Sequence, residues 1–326
     1  MFLRLFRKCF QIVSPKKYVI WELRRENRED LADAQKYILM QEEEYGAELR
    51  RLYFEKTGNE LSLENPQRYT EKIQWRKLYD KQPIYSVLSD KYAVRQWVAR
   101  KIGEEYLIPL LGVWDKPEDI DFEKLPNAFV LKTNNGSSTN IIVRDKSNLN
   151  CELARERLRG WLAYPTWFAN GFEMHYRDIP PKIIAEKYMM PVDGSADLTD
   201  YKFVCFDGKP FMCLVVGTRS TDETLDYFDM EWKHIDLCRR GMHNAAKVTP
   251  KPERFEEMIR LASILSEGFA QVRVDFYELN GSVYFGETTF TSGSGMFNFV
   301  PDSFDYLLGD MWNIHEPQVR IGVAND

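Results

Sequence analysis

A charged pair lies in a strand-like segment near the carboxyl end of the chain. Arg273 and Asp275 are two residues apart, among Val272, Val274 and Phe276. Residues two apart on a strand share a face, and charges are costly to bury among apolar residues unless they are paired or used. A structural ion pair is the alternative interpretation. The pattern favours a functional site over that alternative.

Glu287 and Thr289 repeat this spacing in the next strand-like segment, with Glu287 12 positions after Asp275. The two carboxylates therefore lie directly opposite only if the connecting loop has an odd number of residues, such as 280–282. A two-residue Asn280-Gly281 turn would place them on opposite faces and abolish the site. Opposed carboxylates suit Mg²⁺, which also takes oxygens from substrate phosphates. The sequence therefore predicts a magnesium site that depends on the loop.

Two loops beside these strands also carry chemistry. Lys132-Thr-Asn-Asn-Gly136-Ser137-Ser138 follows a strand-like run, and its N–H groups and hydroxyls can wrap a phosphate while the lysine neutralises it. A polar hairpin with a chance lysine gives the same pattern.

Phe290-Thr-Ser-Gly-Ser-Gly-Met296 offers flexible backbone and hydroxyl donors beside the metal site, which suits a substrate loop. We expect Ser292, Gly293, Ser294 and Gly295 to form that loop.

Strands and helices alternate irregularly around these segments. Period-two runs predict strands over 128–132, 141–144, 182–188, 201–206, 210–216, 272–277 and 283–287, with hairpin turns at Asp207-Gly208 and Asn280-Gly281. Helices are predicted over about 152–167 and 255–265. Ser89 or Asp90 is expected to cap a helix, which puts Lys91 at a helix start, where anions are favoured. This mixture predicts an α+β fold.

The bulk composition excludes several classes of protein. The chain has 326 residues, 44% of them hydrophobic, and a formal net charge of −6, which argues against a nucleic-acid-binding surface. Five cysteines without a CxxC pair indicate neither a disulfide framework nor a zinc ribbon. No apolar run is long enough to span a bilayer. We expect a cytoplasmic protein, with residues 1–13 as a basic amphipathic segment for weak contact with the inner face of the membrane.

The order of these segments resembles the ATP-grasp superfamily, and within it the TupA-like, teichuronopeptide-type branch found in surface-polysaccharide gene sets. The resemblance covers roughly residues 65 to 300. It is carried by Glu71-Lys-Ile-Gln-Trp75, Asp90-Lys-Tyr-Ala-Val-Arg95, Phe129-Val-Leu-Lys132, Pro180-Pro-Lys-Ile-Ile-Ala-Glu186, Asp200-Tyr-Lys-Phe203, Phe228-Asp-Met-Glu-Trp232, Arg273-Val-Asp275 and Gly286-Glu-Thr-Thr-Phe290.

This resemblance implies an ATP-grasp fold, ATP and Mg²⁺ as cofactors, and a role for each matching residue. Arg273 and Lys132 are the implied catalytic residues. The metal triplet is Asp275, Glu287 and Thr289, of which Thr289 replaces an asparagine common in the superfamily. The implied ATP contacts are the lysines Lys91, Lys132, Lys202 and Lys233, the loop residues Asn135, Gly136, Ser137 and Ser138, the adenine hinge Glu186, Lys187 and Met189, and the ribose acid Asp200.

The implied reaction joins a carboxylic acid to an amine through an acyl phosphate, with ADP and phosphate released. The branch suggests an acidic sugar as the acid and an amino acid or amine as its partner. A glycan kinase would use the same site. A glycosyltransferase is a further alternative, although the DxD triplet Asp119-Ile-Asp121 is typical of a solvated loop.

The amino-terminal part departs from common ATP-grasp ligases, which begin with a βαβ lobe. Three regions are expected: a helical extension over 1–85, a first ATP-grasp lobe over 86–190 with the phosphate loop and hinge, and a second lobe over 191–326 with the metal-binding strands. Because the missing lobe often helps to hold the acceptor, the substrates of better-known relatives cannot be transferred to this chain.

Overall fold

The computed structural model describes residues 37–137, 139–164, 166–169, 171–190, 198–217 and 223–320. Ser138 and the segment 1–13 lie outside these ranges. The helices are α1 (Glu42–Thr57), α2 (Tyr69–Tyr79), α3 (Pro83–Ser89), α4 (Val94–Ile102), α5 (Cys151–Ala163), α6 (Thr166–Ala169), α7 (Phe255–Ser266) and α8 (Ser303–Asp310). None of the helices in these ranges is both long and apolar enough to cross a membrane.

The first sheet consists of β1 (Leu110–Trp114), β2 (Phe129–Thr133), β3 (Asn140–Val143) and β4 (Ile183–Lys187). Its order is β1-β4-β2-β3, with every neighbouring pair antiparallel. Helix α5 covers this sheet, where Leu158 packs in one cluster with Phe129 and Leu131. The predicted strands of this region are confirmed to within a residue or two.

The remaining strands are β5 (Asp200–Phe206), β6 (Lys209–Gly217), β7 (Thr224–Phe228), β8 (His234–Ile235), β9 (Cys238–Arg239), β10 (Gln271–Leu279), β11 (Ser282–Thr289) and β12 (Phe299–Val300). The second sheet has the order β11-β10-β5-β6-β7-β8, and β12 pairs with β9 in a separate ribbon. Asp207 and Gly208 have φ values of 46° and 75°, as the predicted two-residue hairpin turn requires.

The second sheet uses its two faces differently, because successive side chains on a strand point to opposite sides. On one face, α7 packs on Phe203, Val274 and Phe276. The alternate residues, among them Lys202, Arg273 and Asp275, point to the other face. Farther along that second face Val204 and Phe206 pack with α2 and α8, so the charged residues occupy the part that these two helices leave uncovered.

Helix α2 is held at its start by a carboxylate and by close contact with α8. Glu71 Oε2 accepts hydrogen bonds from the N–H groups of Gln67 and Arg68, 2.8 and 3.0 Å away, which satisfies donors that a helix start leaves free. A Cβ on Gly309 of α8 would lie 1.9 Å from the Gln67 carbonyl oxygen. Only glycine allows the two helices to approach this closely.

Gly309→Ala should therefore destabilise the protein, because the neighbouring atom is backbone and cannot move away cheaply. We expect a loss of about 1–3 kcal/mol in the free energy of unfolding, measured by urea denaturation. Gly46→Ala in α1 is the matched control, since its Cβ would meet side-chain atoms no nearer than 3.5 Å. Equal stability of the two variants would contradict the packing described here.

Candidate active site

The two predicted metal-binding carboxylates do lie opposite each other, but not for the expected reason. Leu279 pairs with Ser282, so the hairpin has the two-residue Asn280-Gly281 turn that was expected to separate the carboxylates. That expectation was wrong, because a β-bulge follows: Phe276 pairs with Phe285, while Asp275 pairs with Glu287. The extra residue of the bulge is Gly286. It shifts the pairing by one and restores the opposition.

A row of polar side chains crosses three strands of the second sheet at this level. Asp275 pairs with Glu287 on one side and with Lys202 on the other. Lys202 Nζ lies 2.5 Å from Asp275 Oδ2. Arg273, two positions before Asp275 on β10, donates from Nε to Asp275 Oδ1 at 2.7 Å and from Nη2 to Glu287 Oε1 at 2.8 Å. Thr289 Oγ1 donates to the same Glu287 oxygen at 3.2 Å.

These cations keep Glu287 ionised. Burial raises the pKa of Glu287, but the charges of Arg273, Lys202 and Lys91 outweigh that effect and lower the pKa to about 2. Burial alone would lower the pKa of Arg273, whereas Asp275 and Glu287 raise it above its ordinary value. Both groups therefore remain charged at neutral pH.

The phosphate loop is shaped by hydroxyls and by one glycine. The hydroxyls of Thr133 and Thr139 lie 2.6 Å apart and close the loop at its base. A Cβ on Gly136 would lie 2.2 Å from Thr139 Oγ1, so no other residue fits there without a shift. Lys91 Nζ donates to the Gly136 carbonyl at 2.6 Å. This contact brings Lys91 to the loop, in agreement with its predicted position.

Lys91 stands in the turn before α4 rather than in the helix itself. Asp90 Oδ1 accepts from the N–H groups of Tyr92 and Ala93 at 2.8 and 3.2 Å and so closes the turn before α4. The N-cap of α4 itself is Ala93, without a side-chain cap, so the predicted capping of this helix by Ser89 or Asp90 was wrong. Burial lowers the pKa of Lys91; Glu287 raises it and Lys132 lowers it further. An anion bound nearby would offset that cost.

Both sheets contribute to a cavity of about 410 Å³. From the first sheet come Lys132 and Glu186, whose Nζ and Oε2 lie 2.7 Å apart. Arg95 holds the other oxygen of Glu186 at 3.3 Å. The cavity is also lined by Lys91, Gly136, Ser137, Asp200, Lys202, Asp275 and Glu287. Three lysines from separate parts of the chain thus line the cavity together with two opposed carboxylates.

A family model described as TupA-like ATP-grasp matches residues 71–313 of this chain. The chain belongs to the TupA-like ATP-grasp family. The ATP-grasp fold expected from the sequence is confirmed by this match. The matched segment begins at Glu71, in α2, and therefore includes part of the region predicted as a helical extension.

Solved structures show a more distant likeness. D-alanine–D-alanine ligase from Bacillus anthracis, complexed with ATP, is 20% identical over 63% of this chain and 55% of that one, with a TM-score of 0.35. N5-carboxyaminoimidazole ribonucleotide synthetase from Thermus thermophilus is 13% identical over 63% and 45%, also with a TM-score of 0.35. The chain spans about half the length of these two proteins. No curated protein matches it significantly.

Three residues predicted from the resemblance do not line the 410 Å³ cavity of this TupA-like protein or a second cavity of about 810 Å³ that adjoins it. Lys187, Met189 and Lys233 are absent from the residues that line them. The Lys187 N–H donates to the Pro109 carbonyl at 2.9 Å, and the N–H of Lys233 donates to Asp229. Their roles toward adenine and phosphate remain predictions. Asn135 is buried in the phosphate loop.

The donor set agrees with a metal bound mainly by two carboxylates. In the described ranges no three side chains among His, Cys, Asp and Glu form a metal-binding group. Within the same ranges, Glu287 Oε2 accepts no hydrogen bond, whereas both oxygens of Asp275 are engaged by Arg273 or Lys202. A metal ion would therefore meet one open oxygen on Glu287 and compete with Arg273 and Lys202 for the oxygens of Asp275.

The substrate loop is firmly anchored, contrary to the expectation of a flexible segment. Ser292 and Ser294 are only 3% and 7% exposed. Gly293, Ser294 and Gly295 have φ values of 53°, 54° and 61°, which glycine adopts easily and serine rarely. Arg273 Nη1 donates to Ser292 Oγ at 3.0 Å. The loop is thus tied directly to the metal-binding strand.

Helix α2 supplies anchors that the sequence interpretation missed. Gln74 Nε2 donates to the carbonyls of Ser294 and Gly295 at 3.0 and 2.9 Å. Lys77 Nζ donates to the carbonyl and hydroxyl oxygens of Ser294 at 2.7 and 2.6 Å. The segment Glu71–Trp75 carried the resemblance, but its spacing alone did not reveal which loop it would contact.

Asn134 is a second missed residue. It is fully buried, and its Nδ2 donates to Asp90 Oδ1 at 2.9 Å while its Oδ1 accepts from the Lys182 N–H at 2.7 Å. Its carbonyl accepts from the N–H of Lys91 at 3.1 Å. Asn134 therefore joins the phosphate loop to the turn that carries Lys91.

Burial lowers the pKa of Lys77 to about 7, although Glu173 raises it. Between about pH 7 and 10 the unfolded chain then binds a proton at this lysine that the folded chain does not, so its contribution to stability rises with pH. We expect the wild type to gain unfolding free energy relative to Lys77→Met over this interval, measured by urea denaturation at several pH values.

Lys124→Met is the matched control, because the Lys124 side chain is 84% exposed. Its unfolding free energy should follow that of the wild type with pH. Parallel curves for the wild type and Lys77→Met would show that Lys77 does not titrate in this interval.

Proposed function

We propose that this protein is an ATP-dependent carboxylate–amine ligase that forms an amide through an acyl phosphate. Its acid is an acidic sugar or glycan precursor and its amine an amino acid or amino compound. The proposed setting is the synthesis of a surface polysaccharide, in the cytoplasm or at the inner face of the membrane. Membership of the TupA-like ATP-grasp family supports the use of ATP.

The observation that carries this proposal is the polar row on the second sheet. Glu287, Asp275 and Lys202 lie side by side on three strands, with Arg273 bridging both carboxylates. Lys91 and Lys132 approach the same cavity from the turn before α4 and from the first sheet. Cations that converge beside opposed carboxylates suit a triphosphate with its metal ion.

The residues of this chain act mainly by position and charge. Lys91, Lys132 and Lys202 would bind the phosphates, and this would free Asp275 from Lys202. The acid's carboxylate attacks the γ-phosphorus, ADP leaves, and the amine then attacks the acyl carbon and releases phosphate. Arg273 would stabilise the oxyanion that develops when the amine adds. No side-chain nucleophile is required.

Mg²⁺, held by Glu287 and Asp275, would offset the negative charge on the transferring phosphoryl group. Thr289 donates to Glu287 Oε1, and Glu287 lines the cavity. The role of Thr289 as a third ligand of the metal ion stays a prediction. Because Arg273 also holds Glu287 at 2.8 Å, the carboxylate is oriented before any ligand arrives.

Calorimetric titration tests the nucleotide site first. We expect the wild type to bind ATP in a manner that needs Mg²⁺. Lys132→Ala should weaken this binding at least about 10-fold, because a charge-assisted contact to phosphate is lost. Lys124→Ala removes an exposed lysine and should bind as the wild type does. Absence of ATP binding by the wild type would remove the basis of the proposal.

Glu287→Gln should lower turnover by about 100-fold or more while the protein stays folded, since the amide keeps the shape but not the charge of the ligand. Turnover is measured as phosphate release with a uronic acid and an amine identified by screening. A variant that is equally active and still dependent on Mg²⁺ would contradict the assignment of Glu287.

Oxygen-18 in the carboxylate of the acid distinguishes a ligase from a kinase. In the ligase reaction one carboxylate oxygen becomes part of the acyl phosphate and leaves as phosphate, so mass spectrometry should find the label in free phosphate. A kinase that transfers phosphate to a hydroxyl would leave the label in its product. ADP formation without labelled phosphate, together with a phosphorylated product that keeps the label in its carboxylate, would replace the ligase proposal by the kinase.

A further inference from the structure

A second cavity, of about 810 Å³, adjoins the nucleotide site and shares residues with it, among them Lys91, Lys202 and Glu287. One of its walls is apolar, with Leu214, Leu225 and Met242, and the substrate loop lines another part. The cavity therefore reaches from the metal-binding carboxylates past the substrate loop. Arg239, on β9, also lines it.

Three contacts hold Arg239 in place. Its backbone pairs with Phe299 of β12. Its guanidinium carbon lies 3.9 Å from the centre of the Phe297 ring. Its Nε donates to the Tyr227 hydroxyl at 3.2 Å. The backbone, the ring contact and the Nε hydrogen bond together fix the guanidinium, so that it loses little further conformational entropy when it binds a ligand.

The two outer nitrogens of this guanidinium remain available within the described part of the chain. No carboxylate there forms an ion pair with Arg239, and no acceptor there is hydrogen-bonded to Nη1 or Nη2. Of the other cations that line this cavity, Arg273 and Lys202 are engaged with Asp275 and Lys91 with the Gly136 carbonyl, whereas Lys56 is exposed. Arg239 differs from all of them, because its side chain is partly buried and fixed while its outer nitrogens have no partner in the described part of the chain.

Arg239 and Arg273 approach neighbouring residues of the substrate loop. Arg273 Nη1 donates to Ser292 Oγ. Nη1 of Arg239 lies 3.1 Å from the position that a Cβ on Gly293 would occupy, so the absence of a side chain there leaves room for the guanidinium. Both arginines line the same cavity.

We propose that Arg239 is a second anion-binding subsite, which holds a substrate carboxylate that does not itself react. This inference rests on the proposed ligase function. The planar fork of arginine matches a carboxylate through two parallel hydrogen bonds. Two sources supply such a group: the amine, if it is an amino acid, or a second carboxylate of the acid. Either would be held by Arg239 while the reacting group lies at Arg273 and the metal-binding pair.

Calorimetric titrations with the full-length protein and Mg-ADP test this subsite. The amino-acid arm compares L-leucine with L-leucinamide, and the acid arm compares the dicarboxylate glucarate with glucuronate. In the arm that supplies the carboxylate, we expect the wild type to prefer the additional carboxylate by about 10-fold or more. Arg239→Gln should lose this preference, and Arg239→Lys, which keeps the charge but not the fork, should keep only part of it.

Arg240→Gln is the matched control, because Arg240 is the exposed neighbour and does not line the cavity. It should behave as the wild type, and all variants should bind Mg-ATP equally. The subsite is refuted if Arg239→Gln binds Mg-ATP and keeps the preference, or if a wild type that binds Mg-ATP shows no preference in either arm. Loss of Mg-ATP binding in the wild type would instead remove the ligase proposal and this inference with it.

Discussion

Two carboxylates and two cations meet on the face of the second sheet opposite α7, where Arg273 is hydrogen-bonded to both Asp275 and Glu287, and Lys202 to Asp275. The Asp275 side chain is 1% exposed, and those of Arg273 and Lys202 are 9% and 10% exposed. Breaking such a buried pair by removing one partner commonly costs about 3–5 kcal/mol. The charges therefore have to be placed accurately. The register of three strands and the bulge at Gly286 bring them side by side. Helices α2 and α8 do not extend over this part of the face.

The same charges organise the parts of the chain that are not strands. Arg273 on β10 donates to Ser292 and so ties the predicted substrate loop to this strand. Helix α2 holds the other side of the loop through Gln74 and Lys77. On the cavity side Arg239 lies against Gly293. Because these contacts restrain the loop, Ser294 can keep its strained backbone conformation with a positive φ, which would otherwise relax.

The sequence predicts most strands and turns correctly because the signals are local. Alternating apolar residues mark β2, β5 and β10, and Asp207-Gly208 forms its turn wherever the flanking strands pair. The spacing of Arg273, Asp275 and Glu287 also sufficed to locate the two strands whose carboxylates lie opposite each other, and their binding of a metal ion stays a prediction. The bulge at Gly286 escaped prediction, because a single glycine in a strand does not reveal which pairs it shifts. The roles of Asn134 and Lys77 were not predicted for a different reason. The role of a buried polar side chain depends on hydrogen-bond partners that are distant in sequence.

The bulge has a consequence for how this hairpin can evolve. Between Asp275 and Glu287 every residue has a cross-strand partner except the turn residues Asn280 and Gly281 and the bulge residue Gly286. A relative with a three-residue turn and no bulge would keep the carboxylates opposed at the same spacing, and one that lost Gly286 would keep them opposed with one residue fewer. The number of residues between the two acids can therefore drift among homologues without loss of the site. A search pattern with a fixed gap would overlook enzymes whose chemistry is intact.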